Sequence, residues 1–145
     1  MNGILVINKP ADISSARVVS RVKRMLQARK VGHTGTLDPF ARGVVVCCIN
    51  QATRLAPFLL SSPKTYEGVL TLGIETDTQD REGAVIRQTE AIPGDHAEIL
   101  RVFSEFQGAV LQTPPMFSAL KHNGVPLYRI ARRGGDVPRQ PRSTR

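Results

Sequence analysis

The stretch VGHTGTLDPFARG, residues 31–43, is followed directly by the apolar segment VVVCCI, residues 44–49. The stretch contains one acid, Asp38, in a loop with three glycines, which allow positive φ and a close approach to a ligand. Loops on a rigid scaffold often carry catalytic groups. Between Leu37 and Pro39, the carboxylate is expected to be poorly solvated. A tight Asp-Pro turn without any chemistry explains the same residues, so both interpretations stay open.

The flanking segments predict the fold class. Before the loop, residues 3–8 predict a buried strand, and Ser14 or Ser15 caps a basic helix that extends to about residue 29. One face of this helix carries the apolar residues Val18, Val22, Met25 and Leu26. After the loop, residues 44–49 predict a central strand. The remaining predicted strands are residues 66–72, 84–89 and 109–112. The remaining predicted helices are residues 95–106, residues 126–133 and residues 51–60, the last of which is distorted at Pro57. Because helices and strands interleave without strict alternation, we predict an α+β fold with a mixed or antiparallel sheet flanked by helices.

Composition points to a polyanionic partner. The chain has 145 residues, a length typical of one domain, with 41% hydrophobic residues and a formal net charge of +8. Six arginines and one acid, Asp136, lie between residue 129 and the end. Cys47 and Cys48 are predicted to be buried small hydrophobes in a reducing cytosol. No signal segment or membrane-length apolar run is visible, so a cytoplasmic protein is predicted.

Four segments in a fixed order carry a family resemblance. They are NKPADISS (residues 8–15), GHTGTLDP (32–39), KTYEGVLTLGIETDTQDREG (64–83) and TPPMFSALKHNGVPLYRIARRG (113–134). Together they resemble the TruB-type tRNA pseudouridine synthases over nearly the whole chain. The resemblance implies that residues 1–145 are the amino-terminal part of a pseudouridine synthase catalytic domain.

The resemblance also implies a reaction and the residues that perform it. The reaction is isomerisation of uridine to pseudouridine in the T loop of tRNA, at position 55, with base flipping and with no cofactor or metal. It assigns the catalytic role to Asp38, as nucleophile or as the base at C2′. It implies that Tyr66 stacks on the target base and assists proton transfer, and that His33 packs among displaced nucleotides. From the residues alone, Tyr66 could equally be a strand tyrosine at the edge of a core.

Basic residues are the candidates for binding the RNA. The expected phosphate contacts are Lys9, Arg42, Arg54, Lys121 and the terminal arginines, with Lys64 a substrate-binding residue of the K-x-Y segment. Residues 114–141 correspond to a family segment that closes over RNA, and we expect a mobile clamp anchored by Phe117 or Leu127. The histidines His33, His96 and His122 are too widely spaced to indicate a metal site.

The sequence departs from the family pattern in two places. Asn8 and Asp12 replace the usual aspartate and glycine around Lys-Pro, and aspartate tolerates left-handed geometry. The chain also ends at Arg145, before family strands that carry a further tyrosine, an arginine that pairs with the aspartate, and usually an RNA-binding domain. We therefore expect a truncated or partial chain, whose activity without the remaining part the sequence does not establish. We also expect a monomer. Two alternatives stay open: a non-catalytic tRNA-binding or remodelling module, and a structural module without RNA affinity.

Overall fold

The computed structural model describes residues 1–144 as two compact units, one from Met1 to Glu67 and one that begins at Gly68. Both combine helices with antiparallel strands, which confirms the predicted α+β class. The first unit contains β1 (Gly3–Lys9), α1 (Ser15–Met25), β2 (Val31–His33), β3 (Gly43–Ile49), a 3-10 helix (Asn50–Leu55) and α2 (Ala56–Leu60). The second contains β4 (Ile74–Thr76), β5 (Val85–Gln88), α3 (His96–Ser104), β6 (Val110–Gln112), β7 (Lys121–His122), β8 (Val125–Pro126), α4 (Leu127–Ala131) and β9 (Arg142–Thr144). No helix within residues 1–144 has the length and apolar composition needed to cross a membrane.

The strand β3 lies at the centre of the first unit, as its apolar composition predicts. It pairs antiparallel with β1 over its whole length and with β2 over three residues, which gives the order β1-β3-β2. In this register Lys9 lies opposite Gly43, and His33 lies opposite Cys47. The loop of residues 34–42 therefore connects two hydrogen-bonded strands, and both of its ends are fixed by the sheet.

The helix α1 covers one face of this sheet. Its N-cap is Ser14, whose side chain accepts a hydrogen bond from the backbone N–H of Arg17. Val18 and Val22 are buried and pack with Val45 and Cys47 of β3. Burial of an aliphatic side chain of this size contributes about 1.5–3 kcal/mol, so this contact is a major part of the first unit's core.

The helix ends earlier than predicted, at Met25 rather than near residue 29. Gln27 adopts left-handed geometry with φ 49°, and the N–H of Ala28 donates to the carbonyl of Lys23 at 3.0 Å. This is the Schellman arrangement that closes a helix, here with glutamine where glycine is usual. Met25, expected in the core, is instead 79% exposed because it lies in the last turn, beside the apolar face.

The substitution at Asp12 is accommodated as predicted. Asp12 has φ 65°, a left-handed value that aspartate tolerates better than most non-glycine residues. The turn that it forms directs its backbone N–H to the carbonyl of Pro39, at 2.8 Å. The turn after β1 is thus bonded to the loop that carries Asp38.

The second unit is built from short antiparallel pairs. The strands β4 and β5 form a hairpin, whose polar turn is closed by carboxylates: Asp80 accepts from the Thr78 hydroxyl at 2.6 Å, and Asp77 accepts from the Ala84 N–H at 2.9 Å. The predicted strand at 66–72 is wrong, since no ladder in the described part of the chain includes those residues. A strand exists only through pairing, and composition does not reveal whether a partner is present.

A tight hairpin in the second unit was not predicted. The strands β7 and β8 are joined by Asn123 and Gly124, with φ of 49° and 81°. Positive φ at both central residues is typical of a type I′ turn, for which Asn-Gly is the preferred pair. This dipeptide is a sequence signal that could have located the hairpin.

Cys47 and Cys48 are both fully buried and free, as predicted. Burial raises the pKa of the Cys47 thiol, which the neighbouring Cys48 raises further, and burial also raises the pKa of Cys48. Both thiols are therefore held in their neutral, unreactive form.

We expect the stability of the chain to fall at alkaline pH through these thiols. Because their pKa is higher in the folded state, their contribution is complete below the pKa of the unfolded state and is lost as pH rises through the pKa of the folded state. Urea unfolding between about pH 7 and pH 10 should show a steeper loss for the natural chain than for Cys47→Ala/Cys48→Ala. Parallel pH profiles for the two chains would contradict this expectation.

Candidate active site

The loop of residues 34–42 presents Asp38 to solvent. The Asp38 carboxylate is exposed and has no hydrogen-bond or ion-pair partner within residues 1–144. The expectation of a poorly solvated carboxylate is therefore wrong. Leu37 turns toward the apolar cluster under α1 instead of covering its neighbour, which leaves Asp38 accessible to a ligand.

One side of Asp38 is fixed by Ser15. The Ser15 hydroxyl is buried, accepts from the backbone N–H of Leu37 at 2.9 Å and donates to the Leu37 carbonyl at 3.1 Å. One side chain thus satisfies both backbone polar groups of the residue before Asp38. Because Ser15 is the first residue of α1, the helix that packs on the sheet also positions the loop.

The other side of Asp38 is fixed by Lys9. The Lys9 side chain is fully buried, and its ammonium donates to the carbonyls of Pro39 at 3.1 Å, Ile13 at 2.8 Å and Pro10 at 3.0 Å. An isolated buried ammonium is very unfavourable, and these three acceptors offset its desolvation. The expectation that Lys9 contacts phosphate is corrected, since its charge joins the end of β1, the following turn and the Asp38 loop.

His33 is the last residue of β2 and leads into the loop. Its side chain is half-buried, and its Nδ1 atom is buried without a hydrogen-bond partner among the described residues. A buried polar atom without a partner needs an explanation, and a ligand group that approaches the loop would supply one. Within residues 1–144 no group of three His, Cys, Asp or Glu side chains could hold a metal ion.

Lys64 brings the K-x-Y segment beside the loop. A β-carbon built on Gly35 would lie 3.6 Å from Lys64 Cε, so the lysine stem passes over this glycine. The Lys64 ammonium donates to the carbonyls of Leu60 at 2.7 Å and Ser62 at 2.9 Å, at the end of α2. Two residues further on, Tyr66 is 68% exposed, which excludes the core-edge alternative for this ring.

The other predicted phosphate contacts are distributed over both units. Arg42, near the end of the loop, and Arg54, on the 3-10 helix, are exposed in the first unit, and Lys121 is exposed on β7 of the second. In the arginine-rich terminus, Arg139 is already engaged with Asp136 at 3.4 Å, while Arg145 lies outside the described residues. The structure thus brings His33, Asp38 and Lys64 together on or against one loop.

Comparisons with known proteins identify the family of the chain. Residues 23–145 match the family model described as TruB family pseudouridylate synthase (N terminal domain). The chain belongs to the TruB family. The resemblance based on four sequence segments is therefore confirmed.

Relatives in the TruB family extend beyond the matched region. The chain is 51% identical over 138 residues to tRNA pseudouridine synthase B of Francisella tularensis subsp. tularensis (strain WY96-3418), covering 94% of this chain and 46% of the relative. It is 49% identical over 142 residues to the protein of the same name in Geotalea uraniireducens (strain Rf4), covering 98% and 46%. A chain in the crystal structure of a Cbf5-Nop10-Gar1 complex is 25% identical with a TM-score of 0.53, over 82% of this chain and 31% of that one. The chain spans about half the length of the curated relatives it matches.

The role of Ser15 in this TruB-family site was missed by sequence reasoning, which treated Ser14 and Ser15 as alternative helix caps. The structure separates them, since Ser14 caps α1 and Ser15 bonds a residue 22 positions later. The Ser-Ser pair was the available signal, because only one of two adjacent serines can be the N-cap. No local rule identifies the distant partner of the other.

We expect Ser15→Ala to loosen the loop without unfolding the chain. Removal of the hydroxyl leaves two partly buried backbone groups of Leu37 unpaired, a loss of about 1–3 kcal/mol. Ser14→Ala is the matched control, because loss of an N-cap costs about 1 kcal/mol but does not affect the loop. Hydrogen exchange measured by NMR should show faster exchange of the Leu37 amide in Ser15→Ala only. Equal Leu37 exchange in both variants would contradict the positioning role.

Proposed function

We propose that the chain is the amino-terminal part of a TruB-type catalytic domain that isomerises uridine to pseudouridine in the T loop of tRNA, at position 55. The observation that carries the proposal is the state of Asp38, which is exposed on a loop held by Ser15 on one side and Lys9 on the other. A reactive carboxylate needs both access to the substrate and a fixed backbone. We further propose that the protein is cytoplasmic and monomeric, and that residues 114–141 close over the RNA.

The proposed reaction rearranges bonds within one nucleotide. The bond between uracil N1 and ribose C1′ breaks, the base turns in its pocket, a bond forms between C5 and C1′, the C5 proton leaves, and N1 gains a proton. The atoms balance without an oxidant or a co-reactant. Asp38 acts at C1′ as a nucleophile or at C2′ as a base, and carboxylates serve at anomeric carbons in glycoside hydrolysis. Its lack of a covering side chain allows the ribose to approach.

Other residues of the loop region would hold the extruded base and its neighbours. Unstacking a nucleotide costs a few kcal/mol, and stacking on the exposed Tyr66 ring recovers about 1–3 kcal/mol. His33, whose Nδ1 has no hydrogen-bond partner in the described part of the chain, is proposed to face the displaced nucleotides. Exposed Arg42, Arg54 and Lys121 are proposed as phosphate contacts, which make binding weaken steeply with salt. Lys64 is proposed as a substrate-binding residue.

A second candidate function is a non-catalytic tRNA-binding module. The observation that favours it is that no cationic side chain within residues 1–144 forms an ion pair with the Asp38 carboxylate. The exposed basic residues serve binding alone as well as they serve catalysis.

We expect Asp38→Asn to abolish the reaction and to leave RNA affinity unchanged. The substitution removes the carboxylate charge but keeps the side chain's size, and the Ser15 and Lys9 bonds to the loop backbone do not involve it. The measurement is tritium release from a T-arm hairpin labelled at uridine C5, with the chain in excess over RNA. Asp38→Glu is a control that retains the charge while displacing it.

The two candidate functions give different results in this assay. Release by the natural chain that vanishes in Asp38→Asn supports the isomerase. Salt-sensitive binding without any release supports the binding module and overturns the proposed chemistry for this chain. Absence of both release and binding overturns both candidates.

We expect substitutions at Tyr66 to separate its ring from its hydroxyl. Tyr66→Ala should weaken binding of the flipped nucleotide by about 1–3 kcal/mol, because it removes the stacking surface. Tyr66→Phe keeps that surface, so it should keep the affinity and slow only proton transfer in single-turnover tritium release. Equal affinities of the Ala and Phe variants would argue against stacking on Tyr66.

A further inference from the structure

An arginine stripe lies on the outer face of α1, away from the candidate active site. It consists of Arg17, Arg21 and Arg24, which are all exposed and together with Ser20 line a surface cavity of about 190 Å³. Their spacing of four and three residues places them on one side of a helix. That side is opposite the face on which Val18 and Val22 pack against the sheet.

The arginine stripe is unfavourable for the helix by itself. Like charges three or four residues apart destabilise an isolated helix by about 0.2–0.5 kcal/mol per pair. Arg17 also lies in the first turn, where the helix dipole disfavours a cation, and that turn contains no acid to compensate. None of the three guanidinium groups has a partner within residues 1–144. An external anion would relieve all of these interactions.

The chemistry of the arginine stripe fits a repeating phosphate. From Arg17 to Arg24 the helix rises about 10 Å, at 1.5 Å per residue, so the stripe can contact more than one phosphate group along a chain. Guanidinium groups donate paired hydrogen bonds that match phosphate oxygens, and they are less strongly hydrated than ammonium groups. The three guanidinium groups follow one line along the helix, which suits a linear polyanion better than a broad lipid surface.

We propose that the arginine stripe is a second RNA-binding surface, which contacts the sugar-phosphate backbone of tRNA outside the Asp38 site. This inference rests on the proposed function for the identity of the RNA. The stripe contributes affinity that does not depend on sequence, and no base is read there. It is separate from the loop, because none of the residues that line its cavity belongs to residues 34–42.

The test is the salt dependence of binding to an unmodified tRNA transcript, measured by fluorescence anisotropy with the full 145-residue chain. The test variant is Arg17→Gln/Arg21→Gln/Arg24→Gln. Glutamine has a helix propensity close to that of arginine, so α1 should form, and a thermal melt checks this. The control is Lys23→Gln/Arg87→Gln/Arg101→Gln, which removes the same number of charges from exposed positions off the stripe, two of them paired with Glu75 and Glu105.

We expect the slope of log K against log salt to be less steep in the test variant, by about 2–3, since each lost phosphate contact reduces its magnitude by about 0.7–0.9. The control should leave the slope close to that of the natural chain. Equal slopes for the two variants would overturn the proposal. So would a test variant that loses binding to vesicles containing phosphatidylserine but keeps the RNA binding of the natural chain. A natural chain that binds no RNA would overturn both this proposal and the proposed function, whereas RNA binding without tritium release would overturn only the isomerase and leave the slopes to decide on the stripe.

Discussion

The buried ammonium of Lys9 is the constraint on which the first unit depends. It lies at the end of β1 and its three acceptors belong to the next turn and to Pro39. If any of these segments moved away, a buried charge would lose acceptors, which costs several kcal/mol in a low-dielectric interior. The strand, the turn and the loop are therefore coupled. Asp12 strengthens the same junction, because its left-handed turn directs a second donor to Pro39.

This coupling explains how Asp38 can be exposed and still be held in place. The backbone on one side is bonded to Ser15 and on the other to Lys9, and the Leu37 side chain is in the apolar cluster. The fixed atoms are all in the neighbours of Asp38, so its carboxylate needs no protein partner to hold the loop. Such preorganisation places a reactive group without desolvating it before the substrate arrives.

The sequence was sufficient for features that depend on local patterns. The apolar runs located β1 and β3, helical spacing located Val18 and Val22, and four ordered segments identified the family. The sequence did not reveal contacts between distant residues, such as Lys9 with Pro39, 30 positions away. A lysine beside a proline looks like a solvent-facing charge until the fold encloses it. The predicted strand at 66–72 is wrong for a related reason, because pairing depends on a partner that composition does not specify.

The first unit contains two kinds of positive charge, the buried ammonium of Lys9 and the exposed guanidinium groups of the arginine stripe on α1. Lys9 is enclosed and neutralised by carbonyl dipoles, so it fixes a loop but attracts no distant anion. The stripe arginines on α1 are exposed and have no partner among residues 1–144. They therefore hold nothing in place but act on any polyanion within a Debye length, about 8–10 Å at physiological salt. Placement and attraction are thus assigned to different residues, Lys9 at the end of β1 and the arginines on the outer face of α1. Added salt should therefore weaken capture of RNA while leaving the geometry around Asp38 intact.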